Sequence, residues 1–166
     1  ALRTSEAFTR SIIQSSRDCL KVFDLDGRLQ FMSEGGQKLL NIDDLRPYLN
    51  QPYIEFWPEE QERVLAQQAI EEALQGRTAK FQGFLSAPPP RWWEVVISPI
   101  LSPQGTVAQL LAVSRDITES KNAELNLQAA AQRLHTIIET VGEGITLSDE
   151  QGYFEIFNSK MEAITG

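Results

Sequence analysis

The chain has 166 residues, 42% of them hydrophobic and 23% charged, enough for one well-buried core plus a remainder but not for two domains of equal size. Fifteen Lys and Arg against 23 Asp and Glu leave a formal charge of −8, with no basic cluster interleaved with aromatics, which argues against direct nucleic-acid binding. The longest apolar runs, such as Val95-Val96-Ile97 and Leu110-Leu111-Ala112-Val113, fall far short of the roughly 20 residues that cross a bilayer. No basic segment followed by an apolar stretch opens the chain, and Cys19 is a single cysteine, so the expected setting is reducing and cytoplasmic, even if a longer parent is membrane-anchored.

Ile12-Ile13, Asp24 and Gly27 recur as Ile137-Ile138, Asp149 and Gly152, each pair 125 positions apart. One module is complete and a second is begun, the layout of tandem sensor modules rather than of an enzyme. The second copy has only about thirty residues, too few to bury a core. It is expected to be disordered alone, or to borrow a surface from the first domain or another chain, in a piece cut from a longer protein.

In chain order, residues 4–17 read as a short helix with Thr4 or Ser5 at its start. Leu20–Asp24 and Arg28–Met32 are strand-like runs around Leu25-Asp26-Gly27, a β-hairpin whose glycine supplies the positive φ of a tight turn. Ser33 caps a short helix weakened by Gly35 and Gly36, and prolines 47, 52 and 58 keep the following helical pieces short. Glu59-Glu60 opens a longer helix to about Leu74, stopped by Gly76, with Leu65, Ala69, Ile70, Ala73 and Leu74 as its buried stripe. Three antiparallel strands follow over 78–86, 91–101 and 106–115, with turns at Ala87–Pro90 and Ser102–Gly105. Two strands, several helices and three strands make an α+β architecture, a five-stranded antiparallel sheet with helices on one face.

From Glu119 no Gly or Pro occurs until Gly142, which predicts one continuous helix. Within it Ala123, Leu127, Ala130, Leu134, Ile137 and Val141 are spaced 4, 3, 4, 3, 4, a heptad seam suited to a dimeric coiled coil. Packing of the helix on its own domain is the alternative.

The closing segment Arg91-Trp92-Trp93-Glu94-Val95-Val96-Ile97-Ser98-Pro99-Ile100, the turn at Gly105 and the ending Arg115-Asp116-Ile117-Thr118-Glu119 resemble the PAS family of sensory domains. So does the hairpin Asp24–Arg28, and Asp149–Tyr153 resembles the opening hairpin of a second PAS domain. The resemblance implies a PAS fold over 18–118, flanked by an N-terminal helix over 1–17 and a C-terminal signalling helix over 119–141, with a truncated second PAS domain over 142–166. It further implies a pocket enclosed by the sheet's inner face and the helices, with signals leaving through the helix after Asp116-Ile117-Thr118. Asp116 is expected to accept hydrogen bonds from nearby backbone or a basic side chain, and Thr118 to cap that helix.

Catalysis is not expected, since the one His and the one Cys lie far apart in the chain and no Cys/His cluster has metal-ligand spacing. His135 lacks the acidic neighbour and following proline of a phosphoacceptor site. Haem-binding PAS domains use a histidine from the long helix, and residues 58–76 hold none. Cysteinyl-flavin photochemistry needs a cysteine after the hairpin, whereas Cys19 precedes the first strand and reads as a small hydrophobe. What remains is a small organic ligand of unknown identity, or none. Alternation puts Trp93, Val95 and Ile97 on the inner face, where with Leu65 and Ala69 they are the expected pocket residues; Trp93 either stacks on a planar ligand or fills the core. Trp92, on the outer face, is expected to be exposed and to mark a packing site. The resulting expectation is a homodimeric regulatory domain of a bacterial signalling protein with a sensor histidine kinase as output. Its alternatives are a diguanylate cyclase output or a ligand-free interaction module.

Overall fold

The structure, a computed structural model, describes residue 16 and residues 18–165. The helix read over 4–17, and with it Ile12-Ile13 of the repeat, lies outside the described residues apart from Ser16. The chain divides into two units, one ending at Thr118 and the other beginning at Glu119.

The first unit is a five-stranded antiparallel sheet, β1 (Cys19–Phe23), β2 (Leu29–Met32), β3 (Ala79–Leu85), β4 (Arg91–Leu101) and β5 (Val107–Asp116), in spatial order β2-β1-β5-β4-β3. β1 and β2 are joined by the expected turn, in which Gly27 at φ +72° donates to the Asp24 carbonyl at 3.1 Å. The Asp24 carboxylate accepts the Asp26 and Arg28 amides at 3.0 and 2.9 Å, fixing the turn from its own side chain. β4 and β5 alternate buried inner residues, Trp93, Val95, Ile97 and Leu110, Ala112, Ser114, with less buried outer ones, the pattern of a sheet covered on one face.

Helices cover that inner face. Ser33 caps α1 (Glu34–Leu39) by accepting the Gly36 amide, and the helix lies against the start of β1. A Cβ on Gly36 would stand 2.4 Å from Cys19 Sγ, so the glycine that weakens the helix is what lets it approach the strand. Cys19 is itself the first residue of β1 and is fully buried rather than preceding the strand. Two short 3-10 turns, Arg46–Tyr48 and Tyr53–Phe56, lead to α2 (Glu60–Leu74). Its buried stripe is Ala66, Ala69, Ile70 and Ala73. Leu65 and Leu74, expected on that stripe, are 38% and 37% exposed. At about 100° per residue they stand about a quarter turn to either side of it, and the small alanines between them bring the helix close to the sheet.

The second unit contains most of α3 (Thr118–Thr140), then β6 (Thr146–Ser148), β7 (Phe154–Phe157) and α4 (Ser159–Thr165). The second copy is a paired hairpin and a helix; of the two expectations, disorder or a borrowed surface, disorder does not describe it. Side-chain bonds to the backbone explain how it holds together. Asn158, fully buried, accepts the Ile145 and Met161 amides at 2.9 and 3.1 Å, and its amide group donates to the Ile138 and Glu143 carbonyls at 2.9 and 3.0 Å. Ser33 does the same work 125 positions earlier: its hydroxyl accepts the Leu20 and Gly36 amides, both at 3.2 Å. Leu20 and Ile145, and Gly36 and Met161, are related by the same offset. The repeat therefore extends to hydrogen bonds made by two different residue types.

Gly36→Ala should lower the urea midpoint, because overpacking against Cys19 costs about 1–3 kcal/mol, of which alanine's better helix propensity returns only roughly 1 kcal/mol. A midpoint at or above wild type would show that α1 can move off β1.

Candidate functional site

The inner face of the sheet carries one residue foreign to a core. Alternation along β1 turns Cys19, Lys21 and Phe23 inward together, and Lys21 is only 4% exposed. Its Nζ donates to Ser114 Oγ on β5 at 3.2 Å and lies 5.8 Å from the centre of the Tyr53 ring. Among the described residues no carboxylate pairs with it. A buried ammonium costs several kcal/mol in effective desolvation, against which a cation–π contact returns about 0.5–2 kcal/mol.

The helical side supplies an aromatic wall over Lys21. Backbone bonds to β2 and the hairpin turn, Asn50 N to Leu29 O at 2.8 Å and Tyr53 N to Gly27 O at 2.9 Å, place Tyr53 at the start of its 3-10 turn. Trp57 is held by Arg63, whose Nε donates to the Trp57 carbonyl at 2.8 Å, and its ring lies against Gly83 of β3, where a Cβ would come within 2.8 Å. Tyr53 packs on Phe23 with ring centres 4.6 Å apart and meets Trp57 edge-on at 6.4 Å. Trp93 enters from β4.

These residues enclose a cavity of about 40 Å³, with Leu40, Phe56 and Leu85 as its apolar wall and Lys21, Ser114, Tyr53, Trp57 and Trp93 as its polar one. That is space for a few water molecules or a short organic group. The Tyr53 hydroxyl and the Nε1 of Trp57 and of Trp93 are buried and have no hydrogen-bond partner among the described residues. Burial pushes the Tyr53 hydroxyl well above its usual range; the Trp57 indole and the Ser114 hydroxyl, near it but outside hydrogen-bonding geometry, act the other way. Tyr53 is therefore protonated at neutral pH and can donate. Each unmet buried donor costs about 1–3 kcal/mol.

A second cluster adjoins the first. Asp116 ends β5 and takes a 2.6 Å salt bridge from Arg91, the first residue of β4. Its other oxygen accepts the Thr118 amide at 2.9 Å and the Thr118 hydroxyl. That hydroxyl in turn accepts the Trp92 amide at 2.9 Å, and the Ile117 amide donates to the Trp92 carbonyl at 2.9 Å. Partial burial works to raise the Asp116 pKa, but the Thr118 hydroxyl and amide and the Arg91 guanidinium hold it below the ordinary carboxylate range.

Of the residues read as pocket lining, Trp93 lines the cavity; Val95, Ile97 and Ala69 are buried in the core behind it, and Leu65 is on the surface. Asp116 takes a backbone amide and a basic side chain, the kinds of partner expected of it, whereas Thr118 does not take the capping part. Asp116 binds the first amide of α3, while Thr118 ties the helix start to β4, because its hydroxyl is already engaged by the Trp92 amide. Trp92 is half-buried rather than exposed, its ring 5.2 Å from that of Phe84 on the adjacent strand. Along α3, Ala123, Ala130, Leu127, Leu134 and Ile137 are exposed and Val141 half-buried; Leu127 reaches 73%. Lys21, Ser114, Tyr53 and Trp57 were not anticipated. The only sign of Lys21 in the sequence is a charge within an otherwise apolar strand, and alternation there serves Leu20 and Val22 equally well.

Among the described residues no group of His, Cys, Asp and Glu could hold a metal ion, and no helix is long and apolar enough to cross a membrane.

Comparison with known proteins bears on this arrangement. A family model described as the PAS fold matches residues 13–122. A search of curated protein sequences gave no significant match. Among solved structures, an RNA-binding light-oxygen-voltage receptor aligns with TM-score 0.61 at 18% identity over 76% of this chain, which spans 37% of that one. The PAS domain of an HTR-like protein from Haloarcula marismortui aligns with TM-score 0.56 at 22% identity, covering 70% of this chain and 94% of that one. A domain of a putative light and redox sensing histidine kinase from the same organism gives 0.52 at 16%, covering 68% and 99%. With two-thirds of its length matched, a sheet in the order β2-β1-β5-β4-β3 and helices over one face, the chain belongs to the PAS-fold family.

Proposed function

We propose that this PAS domain is the sensory and regulatory part of a cytoplasmic signal-transduction protein, reporting the occupancy of the Lys21 cavity to an output domain through α3. The observation that carries this reading is a one-residue step. The Trp93 side chain lines the cavity, while the backbone of Trp92, its neighbour, holds both Ile117 and Thr118 at the root of α3. A ligand that shifts Trp93 on β4 moves the acceptor and donor to which the helix start is tied, and Arg91 and Asp116 brace the same junction. A histidine kinase is the output we favour, in keeping with the like fold of a domain from a light and redox sensing histidine kinase, and a diguanylate cyclase fits the same layout.

The seam on α3 is read as a parallel or antiparallel helix pair in a homodimer. Leu134 and Ile137 are 60% and 57% exposed, and pairing would bury them. The smallness of the cavity favours one second reading, a ligand-free interaction module in which α3 and the sheet serve dimerisation alone.

Native mass spectrometry of the purified chain, before and after denaturing extraction, separates the two readings. A released small molecule supports the sensor, and an empty dimer supports the interaction module. Leu134→Asp should lower the mass measured by sedimentation, and an unchanged mass would remove the helix-pairing argument. Asp116 is more acidic folded than unfolded, so its stabilisation is present above the ordinary value of about 3.9 and is lost as pH falls through the lower folded value. Asp116→Asn should therefore be less stable than wild type at about pH 7, with the gap narrowing towards about pH 3 in urea titrations. A gap independent of pH would exclude an ionic role.

A further inference from the structure

We propose that the cavity's ligand is a small organic monocarboxylate, its carboxylate held by Lys21 with the Tyr53, Trp57 and Trp93 donors and its hydrocarbon end against Leu40, Phe56 and Leu85. The inference rests on the sensor reading and names the chemistry of its ligand.

Apart from the Ser114 hydroxyl, which the Lys21 ammonium already engages, the polar wall of the cavity offers donors. The Lys21 ammonium carries three donors and no acceptor, and one of the three is met by Ser114 at 3.2 Å. The indole nitrogens of Trp57 and Trp93 only donate, and the Tyr53 hydroxyl, kept protonated by burial, is a donor as well. The four side chains are 4%, 4%, 3% and 2% exposed for Lys21, Trp57, Trp93 and Tyr53. An acceptor with several lone pairs and a negative charge satisfies such a set; a neutral amide or an alcohol brings donors of its own and leaves the ammonium uncompensated. A carboxylate offers about four lone-pair sites on two oxygens, and fits a space of about 40 Å³ with a short carbon chain behind it. The opposite wall is apolar, so a wholly hydrated inorganic anion matches only half of the site.

The test titrates the purified chain with acetate, propionate, butyrate and benzoate, and with propionamide and benzamide, at constant ionic strength. Tryptophan fluorescence and the thermal midpoint are the readouts. One or more of the carboxylates should give a saturable fluorescence change and a rise in midpoint, at least about tenfold tighter than the matching amide. Lys21→Met, close in length and apolar, should fold and lose that response by about tenfold or more. If Lys21→Met does not fold, Trp57→Phe and Trp93→Phe, which keep the ring and remove the N–H, should each weaken carboxylate binding several-fold. Equal binding of acid and amide would overturn the carboxylate and leave the sensor reading standing. Unchanged affinity in the variants, or no response to any of the carboxylates, also overturns it; the sensor reading is decided separately by the mass spectrum of the purified protein.

Discussion

A positive charge on the inner face of the sheet governs the architecture around it. Lys21 sits where a strand in a one-sided sheet places an aliphatic residue, and the domain has not used that position for packing. Around it the structure assembles Ser114 from the neighbouring strand, the face of Tyr53 and the indoles of Trp57 and Trp93. Filling the position with an apolar side chain would relieve the desolvation cost of a buried ammonium. A fold that keeps the lysine and surrounds it with unmet donors has a polar interior on the covered face of its sheet.

That interior lies next to the exit of the chain. β4 pairs with β5 in a register that sets Trp93 opposite Asp116, so the cavity wall and the foot of α3 share one rung of the sheet. The Trp92 amide and carbonyl are spent on Thr118 and Ile117. The two strands pair without interruption there, and no loop lies between the cavity wall and the start of the helix. The ion pair between Arg91 and Asp116 keeps the junction from fraying, since strand ends are ordinarily where sheets open first.

The second unit shows how little of the repeated pattern depends on particular residue types. Asp149 and Gly152 rebuild the turn of Asp24 and Gly27, with Gly152 at φ +87° and its amide 3.1 Å from the Asp149 carbonyl. Asn158 replaces Ser33, and both accept amides from the start of the first strand and from the third residue after themselves. Serine and asparagine share only a short side chain with an acceptor oxygen, which is all that a helix cap joined to a strand requires. The longer asparagine also donates to two carbonyls, which lets it hold its hairpin with less of a core beneath it.

The order of strands and helices, the turns at Gly27 and Gly105, the repeat, and Asp116 as an acceptor at the end of its strand were legible in the amino-acid sequence, because each rests on local periodicity or on turn and strand-end chemistry acting within a few residues. The inward direction of Trp93 was legible too, since Glu94 beside it needs water and in the fold pairs with Lys80 at 2.8 Å. The placement of Leu65 was not, because two leucines and three alanines offer α2 more than one apolar stripe, and only the distance to the sheet chooses the small residues. Nor was the site itself: Lys21, Tyr53, Trp57, Trp93 and Ser114 come from separate strands and a 3-10 turn. Which face of β1 turns inward is decided by its pairing with β5, a contact across some ninety residues that no local pattern encodes.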